Sequence, residues 1–285
     1  MPLRLGRFEV HAISDGRIAL DGGAMFGVVP RPLWQRRFPP DERNRISMEL
    51  RCMLIVAGDR RILIDDGAGT RWDGKQREMY GLDHRQGSLD EGLSRAGLTR
   101  ADITDVVLTH LHFDHAGGTA REEGGGLKLS FPEASYHLQR RHWRWAHHPS
   151  DKDAGSFRKD DFALLESSGR LHLLDGPTEL FEGVHLFVSE GHTVGLQLVR
   201  LETDAGTLVF CGDLIPTTAH LRAPWIAAYD LYPLTAIEEK KQLLAQALEE
   251  DWMLFLEHDP LVAACTVKDD GHGHVVVDRV IDVGP

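Results

Sequence analysis

The chain has 285 residues, with 32 lysines and arginines against 44 aspartates and glutamates, giving a formal net charge of −12. This acidic balance, without any block of basic residues, argues against a nucleic-acid partner, because phosphate binding needs clustered lysine and arginine. No apolar run approaches the length of a membrane-spanning helix, so no membrane partner is expected. The length suits one large domain, and we predict a single domain over residues 1–285.

The cysteine and histidine content indicates the cellular compartment and the kind of site to expect. Cys52, Cys211 and Cys265 are odd in number and far apart, which argues against a disulfide framework. The N-terminus lacks the apolar core of a signal peptide, so we expect a cytoplasmic location. Histidine is unusually frequent, at 16 residues, and this frequency directs attention to metal ligands.

The first half of the chain alternates short apolar runs with turn residues and helical segments, without an internal repeat. That alternation is typical of an α/β fold. The predicted elements are a hairpin of residues 51–56 and 61–64 that turns at Gly58-Asp59, a helix opened by a capping box of Ser88 and Glu91, and a strand over 105–109.

The second half continues the same alternation. Its predicted elements are a strand over 134–138, a helix over 140–148, a hairpin of 196–201 and 207–210, a helix opened by a capping box of Thr235 and Glu238, and a strand over 252–256. Several predicted strands end at a histidine or an aspartate followed by a loop. We therefore expect these polar side chains to gather along one edge of the sheet.

The densest of these strand ends is the string His110-x-His112-x-Asp114-His115. In an extended segment, residues two apart point to the same side, so His110, His112 and Asp114 are expected to converge while His115 faces elsewhere. One segment can then serve two neighbouring metal ions. Imidazole and carboxylate groups suit zinc, and also iron, cobalt or manganese, so the ligand types do not select the metal.

Three further strand ends complete a set of seven candidate ligands. His192 lies in a Gly-His-Thr sequence, Asp213 follows a glycine, and His258 lies between Glu257 and Asp259. Five neutral imidazoles and two carboxylates facing two divalent cations leave two uncompensated positive charges, or one once a bridging hydroxide is present. A site of that charge attracts an anionic transition state.

This ordered set resembles the metallo-β-lactamase superfamily of hydrolases. The resemblance covers most of the chain and rests on five motifs, which are Leu63-Ile64-Asp65-Asp66-Gly67, the string from His110 to His115, Gly191-His192-Thr193, Gly212-Asp213 and the late His258. It implies an αββα sandwich, in which two sheets are covered by helices and the metal site lies at one edge of the sheets.

Carried over position by position, the resemblance implies two divalent metal ions per chain, with zinc as the expected metal. The implied ligands are His110, His112 and His192 for the first ion, Asp114, His115 and His258 for the second, and Asp213 between the two. Asp65 would lie behind the ligands and steady their loop.

Differences between this sequence and several subgroups of the family reduce the number of candidate reactions. True β-lactamases of this fold generally lack the bridging aspartate, redox-active di-iron relatives tend to carry a glutamate where His112 stands, and RNA-processing relatives use basic surfaces or added domains. The remaining relatives are lactonases of the acyl-homoserine type, organophosphate and ester hydrolases, and glyoxalase-type thioesterases. The loop over residues 23–30 resembles the N-terminal loop of lactonase-like members.

A substrate pocket is expected at that loop. Its expected lining residues are Met25, Phe26, Phe113, Trp225, His220 and Tyr229. The tyrosine that some lactonases place three residues after the bridging aspartate is absent, because Pro216 stands there. Tyr229, Tyr232 or His220 could take its place, and the spacing selects none of them.

The expected function is hydrolysis of a lactone or ester by a metal-bound hydroxide that attacks the carbonyl group, with acyl-homoserine lactones favoured. Asp114 and Asp213 are the expected catalytic residues, and Asp114 could carry a proton to the leaving group. Phosphotriester hydrolysis and glyoxalase-II-type thioester hydrolysis are the alternatives, because all three reactions use the same water and metals. A non-catalytic metal-binding sensor is an alternative from another class. The expected partner is a small molecule, and a homodimer is a possible assembly.

The remaining histidine-rich segments are interpreted as structural. Around Trp143 and Trp145, a solvated and partly packed helix is the simpler interpretation of His137, His142, His147 and His148. His272 and His274 lie in a glycine-rich turn, where they could chelate a metal only adventitiously.

Overall fold

The computed structural model describes residues 1–284. In chain order the strands are β1 (Leu3–Leu5), β2 (Phe8–Asp21), β3 (Arg45–Ala57), β4 (Arg60–Ile64), β5 (Asp105–Val107), β6 (Ala120–Glu123), β7 (Gly126–Leu129), β8 (Ser135–Gln139), β9 (Leu171–Leu174), β10 (Thr178–Phe181), β11 (Val184–Ser189), β12 (Leu196–Thr203), β13 (Gly206–Phe210), β14 (Met253–Phe255), β15 (Ala264–Asp269) and β16 (Val275–Ile281). The helices are α1 (Gly22–Phe26), α2 (Arg31–Trp34), α3 (Gly74–Tyr80), α4 (Leu89–Arg95), α5 (Phe113–Ala116), α6 (Arg140–His147), α7 (Lys159–Ser168) and α8 (Pro233–Glu249). Among these helices, none combines the length and the apolar character needed to cross a membrane.

The strands form two large sheets and one small hairpin. The first sheet has the order β1-β2-β3-β4-β5-β8-β9 and the second has the order β10-β11-β12-β13-β14-β15-β16, while β6 and β7 form a two-stranded sheet. Neighbours β4, β5, β8 and β9 run parallel, as do β13 and β14. Because parallel neighbours end at the same edge of a sheet, the loops after β4 and β5 open together, and so do those after β13 and β14.

Burial on both faces explains why the sequences of many strands are continuous apolar runs. On β3, Met53 and Ile55 are fully buried between the two sheets, whereas Cys52 and Leu54 are fully buried under the helices of the first sheet. Strands covered on both faces need apolar residues at every position. Helix α8 covers the outer face of the second sheet in the same way, through residues such as Leu244. The layer order is the αββα sandwich that the sequence predicts.

Most local predictions are confirmed, with one correction. β3 and β4 form the predicted hairpin around Gly58-Asp59, and Ser88 caps α4 by accepting a hydrogen bond from Glu91 N at 3.3 Å. Helix α8 begins at Pro233 after Tyr232 as its N-cap, three residues earlier than predicted, so Thr235 lies inside the helix and the predicted capping box is wrong. Proline is favoured at a first helical position because its fixed φ suits the helix and its missing N–H has no partner there.

Two loops touch through their backbones at the edge where the polar strand ends meet. A Cβ atom on Gly118 would lie 2.1 Å from the carbonyl oxygen of Asp66, and one on Gly117 would lie 2.3 Å from that of Ala68. Only glycine permits such an approach. The glycines after the histidine string therefore bring the loop after β4 against the loop after β5.

We expect Gly118→Ala to lower the free energy of unfolding by about 3 kcal/mol, because the obstructing atom is backbone and cannot rotate away. Gly74→Ala is the matched control, since a Cβ there meets nothing within 4 Å at the start of α3. The control should leave stability unchanged or raise it by up to about 1 kcal/mol. Urea unfolding of both metal-free variants measures the difference, and equal midpoints would contradict the prediction.

Candidate metal centre

The loops that follow five strands meet at one edge of the two sheets. They carry Asp65 after β4, His110, His112, Asp114 and His115 after β5, His192 after β11, Asp213 after β13 and His258 after β14. The first sheet thus contributes the histidine string, and the second sheet contributes the other three ligands. All seven candidate ligands come together at this edge.

The seven residues form two groups, and within each group the ligand atoms lie within 4.8 Å of one another. The groups are His110, His112, His192 and Asp213 on one side, and Asp114, His115 and His258 on the other. Asp213 contacts both groups, because its Oδ2 lies 3.1 Å from His192 Nε2 and its Oδ1 lies 3.2 Å from His258 Nε2. A bridging role for Asp213 is consistent with this position.

The string after β5 is not extended along its whole length. Helix α5 begins at Phe113, so Asp114 lies on a helical turn. The expectation that Asp114 converges with His110 and His112 in one extended segment is therefore wrong. The turn directs Asp114 to the second group, where its Oδ2 lies 3.7 Å from His258 Nε2.

The donor atoms fit divalent metal ions. Two ligand atoms of a tetrahedral zinc ion lie ~3.3 Å apart when each is about 2.0–2.1 Å from the ion. His192 Nε2 lies 3.2 Å from His112 Nδ1, and His258 Nε2 lies 3.2 Å from His115 Nε2. Among the described residues, the buried Nε2 atom of His110 has no hydrogen-bond partner. Buried ring nitrogens that face one another or lack a partner are the donor set that a cation requires.

The protonation states of His110, His112 and Asp213 suit metal binding. Burial lowers the pKa of His110 and His112 well below the usual range, which keeps both rings neutral. Burial would raise the pKa of Asp213, but the surrounding rings of His115, His192 and His258 outweigh it and hold that pKa well below its usual value. Neutral imidazole and ionised carboxylate are the forms that bind a metal, so His115, His192 and His258, whose pKa values are raised despite burial by facing carboxylates, would release protons when ions bind.

The far side of most ligand rings is held by a group outside the ligand set. The groups facing Nδ1 are Thr109 Oγ1 at 2.9 Å for His110, Asp65 Oδ2 at 3.0 Å for His115, Asp230 Oδ1 at 2.8 Å for His192, and the carbonyl oxygen of Glu49 at 2.8 Å for His258. Such partners fix the ring orientation and raise its basicity. Asp65 also accepts a hydrogen bond from Thr109 N at 2.6 Å, so it lies behind the ligands and holds their loop.

Three supporting residues were missed by the sequence analysis. Asp230 lies 38 positions from the His192 that it holds, so no local pattern identifies it. Glu257 carries a weak signal, since it precedes His258 directly. His142 was interpreted as part of a solvated and partly packed helix without a role at the site, but it is fully buried, and its Nε2 accepts a hydrogen bond from Leu111 N at 2.8 Å. It therefore anchors the backbone of the histidine string.

A cavity of about 260 Å³ opens directly over this edge. Five of the seven ligands line its floor, which are His112, Asp114, His192, Asp213 and His258. Its wall is largely apolar or aromatic and includes Leu20, Met25, Met48, Tyr80, Phe113 and Tyr229. Three of the six expected pocket residues, Met25, Phe113 and Tyr229, thus line the cavity.

The other three expected pocket residues, Phe26, Trp225 and His220, lie one layer deeper and do not line the cavity. Neighbouring positions on the short helix α1 face different ways, so Met25 faces the cavity while Phe26 packs on His220 with ring centroids 5.1 Å apart. Trp225 meets Phe26 edge-on at 5.6 Å. Their placement corrects the expected pocket, because this aromatic layer supports the cavity wall from behind.

His220 supports the wall as a neutral ring. Its Nε2–H donates to the carbonyl oxygen of Met25 at 2.9 Å, and its Nδ1 accepts from Thr217 Oγ1 at 2.7 Å. Burial, with a smaller effect from Lys240, lowers the pKa of His220 to about 3. His220 therefore ties helix α1 to the loop after Asp213 without facing the substrate space.

The structure distinguishes the three candidates for the absent lactonase tyrosine. Tyr229 lines the cavity, and burial together with the charge of Asp114 raises its pKa to about 12. Tyr232 is 45% exposed and does not line the cavity, and His220 is buried behind Met25. Only Tyr229 of these three presents its side chain to the space above the metal ligands.

Comparisons with known proteins give the same family. The model of the metallo-beta-lactamase superfamily matches residues 51–258. The metallo-hydrolase mfmC of Annulohypoxylon moriforme is 27% identical over 240 residues, covering 74% of this chain and 59% of its own length. The chain thus spans about three-fifths of that relative.

Solved structures agree over nearly the whole chain. A "probable metal-dependent hydrolase" from Staphylococcus aureus matches with a TM-score of 0.88 and 29% identity, covering 98% of this chain and 100% of that one. AidC, a dizinc quorum-quenching lactonase in complex with a product, N-hexanoyl-L-homoserine, matches with a TM-score of 0.79 and 23% identity, covering 99% and 98%. The chain therefore belongs to the metallo-β-lactamase superfamily.

Proposed function

We propose that this protein is a binuclear metal-dependent hydrolase that cleaves a small lactone or ester, with acyl-homoserine lactones as the favoured substrates. The observation that carries the proposal is a complete set of seven ligands, with Asp213 between the two groups. A small and largely apolar cavity lies above this set. The similarity to a dizinc lactonase with an acyl-homoserine product supports the choice of substrate.

The roles of the residues follow from their positions. When bound, two divalent ions supply an activated water and polarise the carbonyl oxygen of the substrate. Asp213 would fix both ions, because it contacts both ligand groups. Asp114 lies on the cavity floor, where its carboxylate could pass a proton to the departing alkoxide. Tyr229 would orient the substrate through its neutral hydroxyl group.

The cavity favours a small neutral substrate. Its volume of about 260 Å³ lies below the usual range for ligand pockets, which begins at about 300 Å³. Lys152 is the cationic side chain on the described wall, and its Nζ donates to the carbonyl oxygens of Ala228, Tyr229 and Asp230 at 2.8, 3.1 and 2.7 Å. An ammonium group engaged in this way offers little to the carboxylates of a glutathione thioester.

A substrate panel tests the choice of reaction. We expect turnover of acyl-homoserine lactones and short aryl esters to exceed turnover of phosphotriesters and of glutathione thioesters. Efficient turnover of either of the last two classes alone would replace the lactonase proposal by organophosphate hydrolysis or by thioester hydrolysis. Metal binding without turnover of any class would favour a sensor. The single domain over residues 1–285, the cytoplasmic location and the homodimer stay predictions.

We expect two metal ions per chain after reconstitution with excess zinc and removal of the free metal. Elemental analysis gives the stoichiometry, and the double variant His272→Ala with His274→Ala is the control. These two histidines lie in an exposed turn between β15 and β16, so their loss should leave both equivalents in place. Saturation of the wild-type protein at one equivalent would contradict the binuclear centre.

A further inference from the structure

Glu257 is a buried carboxyl group beside the metal centre that the ligand set does not use. Its side chain is fully buried after β14, and its Oε2 lies 3.0 Å from His115 Nδ1. Within residues 1–284, neither carboxylate oxygen of Glu257 has a hydrogen bond of acceptable geometry. Burying such a group without donors is costly, so its presence calls for a compensating positive charge.

The neighbouring donors do not hydrogen-bond to Glu257, although the pKa of His115 is raised, despite burial, by the charge of this carboxyl group. The single Nδ1–H of His115 already has Asp65 Oδ2 as its partner at 3.0 Å. Arg51, the nearby guanidinium, donates instead to the carbonyl oxygen of Leu256 at 2.6 Å. Two buried carboxyl groups therefore face one imidazole ring, and one of them is aligned for hydrogen bonding while the other is not.

A third metal ion does not explain this arrangement. Asp65, His115 and Glu257 do bring their ligand atoms within 4.8 Å of one another. To bind an ion there, however, His115 Nδ1 would have to lose both its proton and its hydrogen bond to Asp65, while Nε2 faces His258 in the ligand set. The arrangement instead places a further carboxyl group directly behind one ligand of the second ion, 3.0 Å from His115 Nδ1.

We propose that Glu257 supports metal binding by charge, acting on the second ion through His115, a role that rests on the proposed metal centre. Two divalent ions held by Asp114 and Asp213 as the anionic ligands carry two uncompensated positive charges. A carboxylate behind His115 offsets one of them and raises the basicity of that ring. Glu257 is thus a positioning residue for the ion and does not contact the substrate.

The test uses Glu257→Gln, which keeps the shape of the side chain. We expect the affinity for the second zinc equivalent to fall at least about tenfold, measured by competition with a chromophoric chelator. The melting temperature of the metal-free variant should stay the same or rise, because a neutral amide costs less to bury than a carboxyl group without donors. In Glu257→Gln we therefore expect a lower affinity for zinc without a lower melting temperature of the metal-free protein.

Asp65→Asn is the matched control, because Asp65 accepts aligned hydrogen bonds from Thr109 N and Thr109 Oγ1 at 2.6 and 2.7 Å as well as from His115. Its loss should lower both metal affinity and metal-free stability. Unchanged metal affinity in Glu257→Gln would overturn the proposal, as would a fall in its metal-free melting temperature like that of the control. Wild-type protein that binds two ions and cleaves no lactone would refute the proposed reaction and leave this role of Glu257 intact.

Discussion

Replacing Asp213 by alanine should lower kcat/KM by at least about 1,000-fold and reduce the metal content below two equivalents. Loss of a group that only holds a ligand already costs 10–100-fold in such sites. Asp213 does more, because its two oxygens lie 3.1 Å from His192 and 3.2 Å from His258, one in each ligand group. Steady-state kinetics and elemental analysis on the same preparation measure both effects.

The comparison variant is His220→Ala, a buried histidine near the same loop. It should lower kcat/KM by no more than about tenfold and keep both metal ions, because His220 holds the Met25 carbonyl and does not face the metal ligands. Circular dichroism confirms that each variant is folded. Comparable losses in the two variants with metal retained would contradict the bridging assignment of Asp213 and make His220 a catalytic residue.

Catalytic efficiency should depend on acyl-chain length. Each methylene buried against the apolar wall contributes about 0.8 kcal/mol, so kcat/KM should rise up to about fourfold per carbon. The rise should stop once the cavity of about 260 Å³ is full. A series of homoserine lactones from butanoyl to dodecanoyl measures the profile.

A substitution on the wall should shift that profile. Met25→Trp should move the optimum to shorter chains, because Met25 faces the cavity. Leu234→Trp is the control, since Leu234 is 81% exposed and does not line the cavity. Flat efficiency from short to long chains, or an equal shift in both variants, would show that the acyl group does not bind in this cavity.

The positions of the metal ligands could be predicted because the signal is local. Each ligand follows an apolar run, so one edge is expected to gather the string at His110 with the later Asp213 and His258, although these follow strands of two different sheets. The αββα layers could be predicted only through the family resemblance. Apolar runs on strands such as β3 indicate burial on both faces, yet they do not say which strands share a sheet.

The features of the site that could not be predicted depend on the local backbone conformation and on contacts between residues far apart in the sequence. A short helix at Phe113 moves Asp114 to the second ligand group, and on α1 Met25 faces the cavity while the next residue, Phe26, is buried. Asp230 reaches His192 only through the tertiary fold. Each of these facts follows from a backbone direction that periodicity does not encode.

The ligand set has a consequence for the lifetime of the folded chain. His110 to His115 follow a strand of the first sheet, whereas His192, Asp213 and His258 follow strands of the second. Ions bound among them would link the two halves of the chain, and each ion would add about 4 kcal/mol to the stability of the fold when free metal is at 1,000 times its dissociation constant. When metal is scarce, the chain would then be degraded faster by proteases. The amount of protein would fall in addition to any fall in the turnover rate of each molecule.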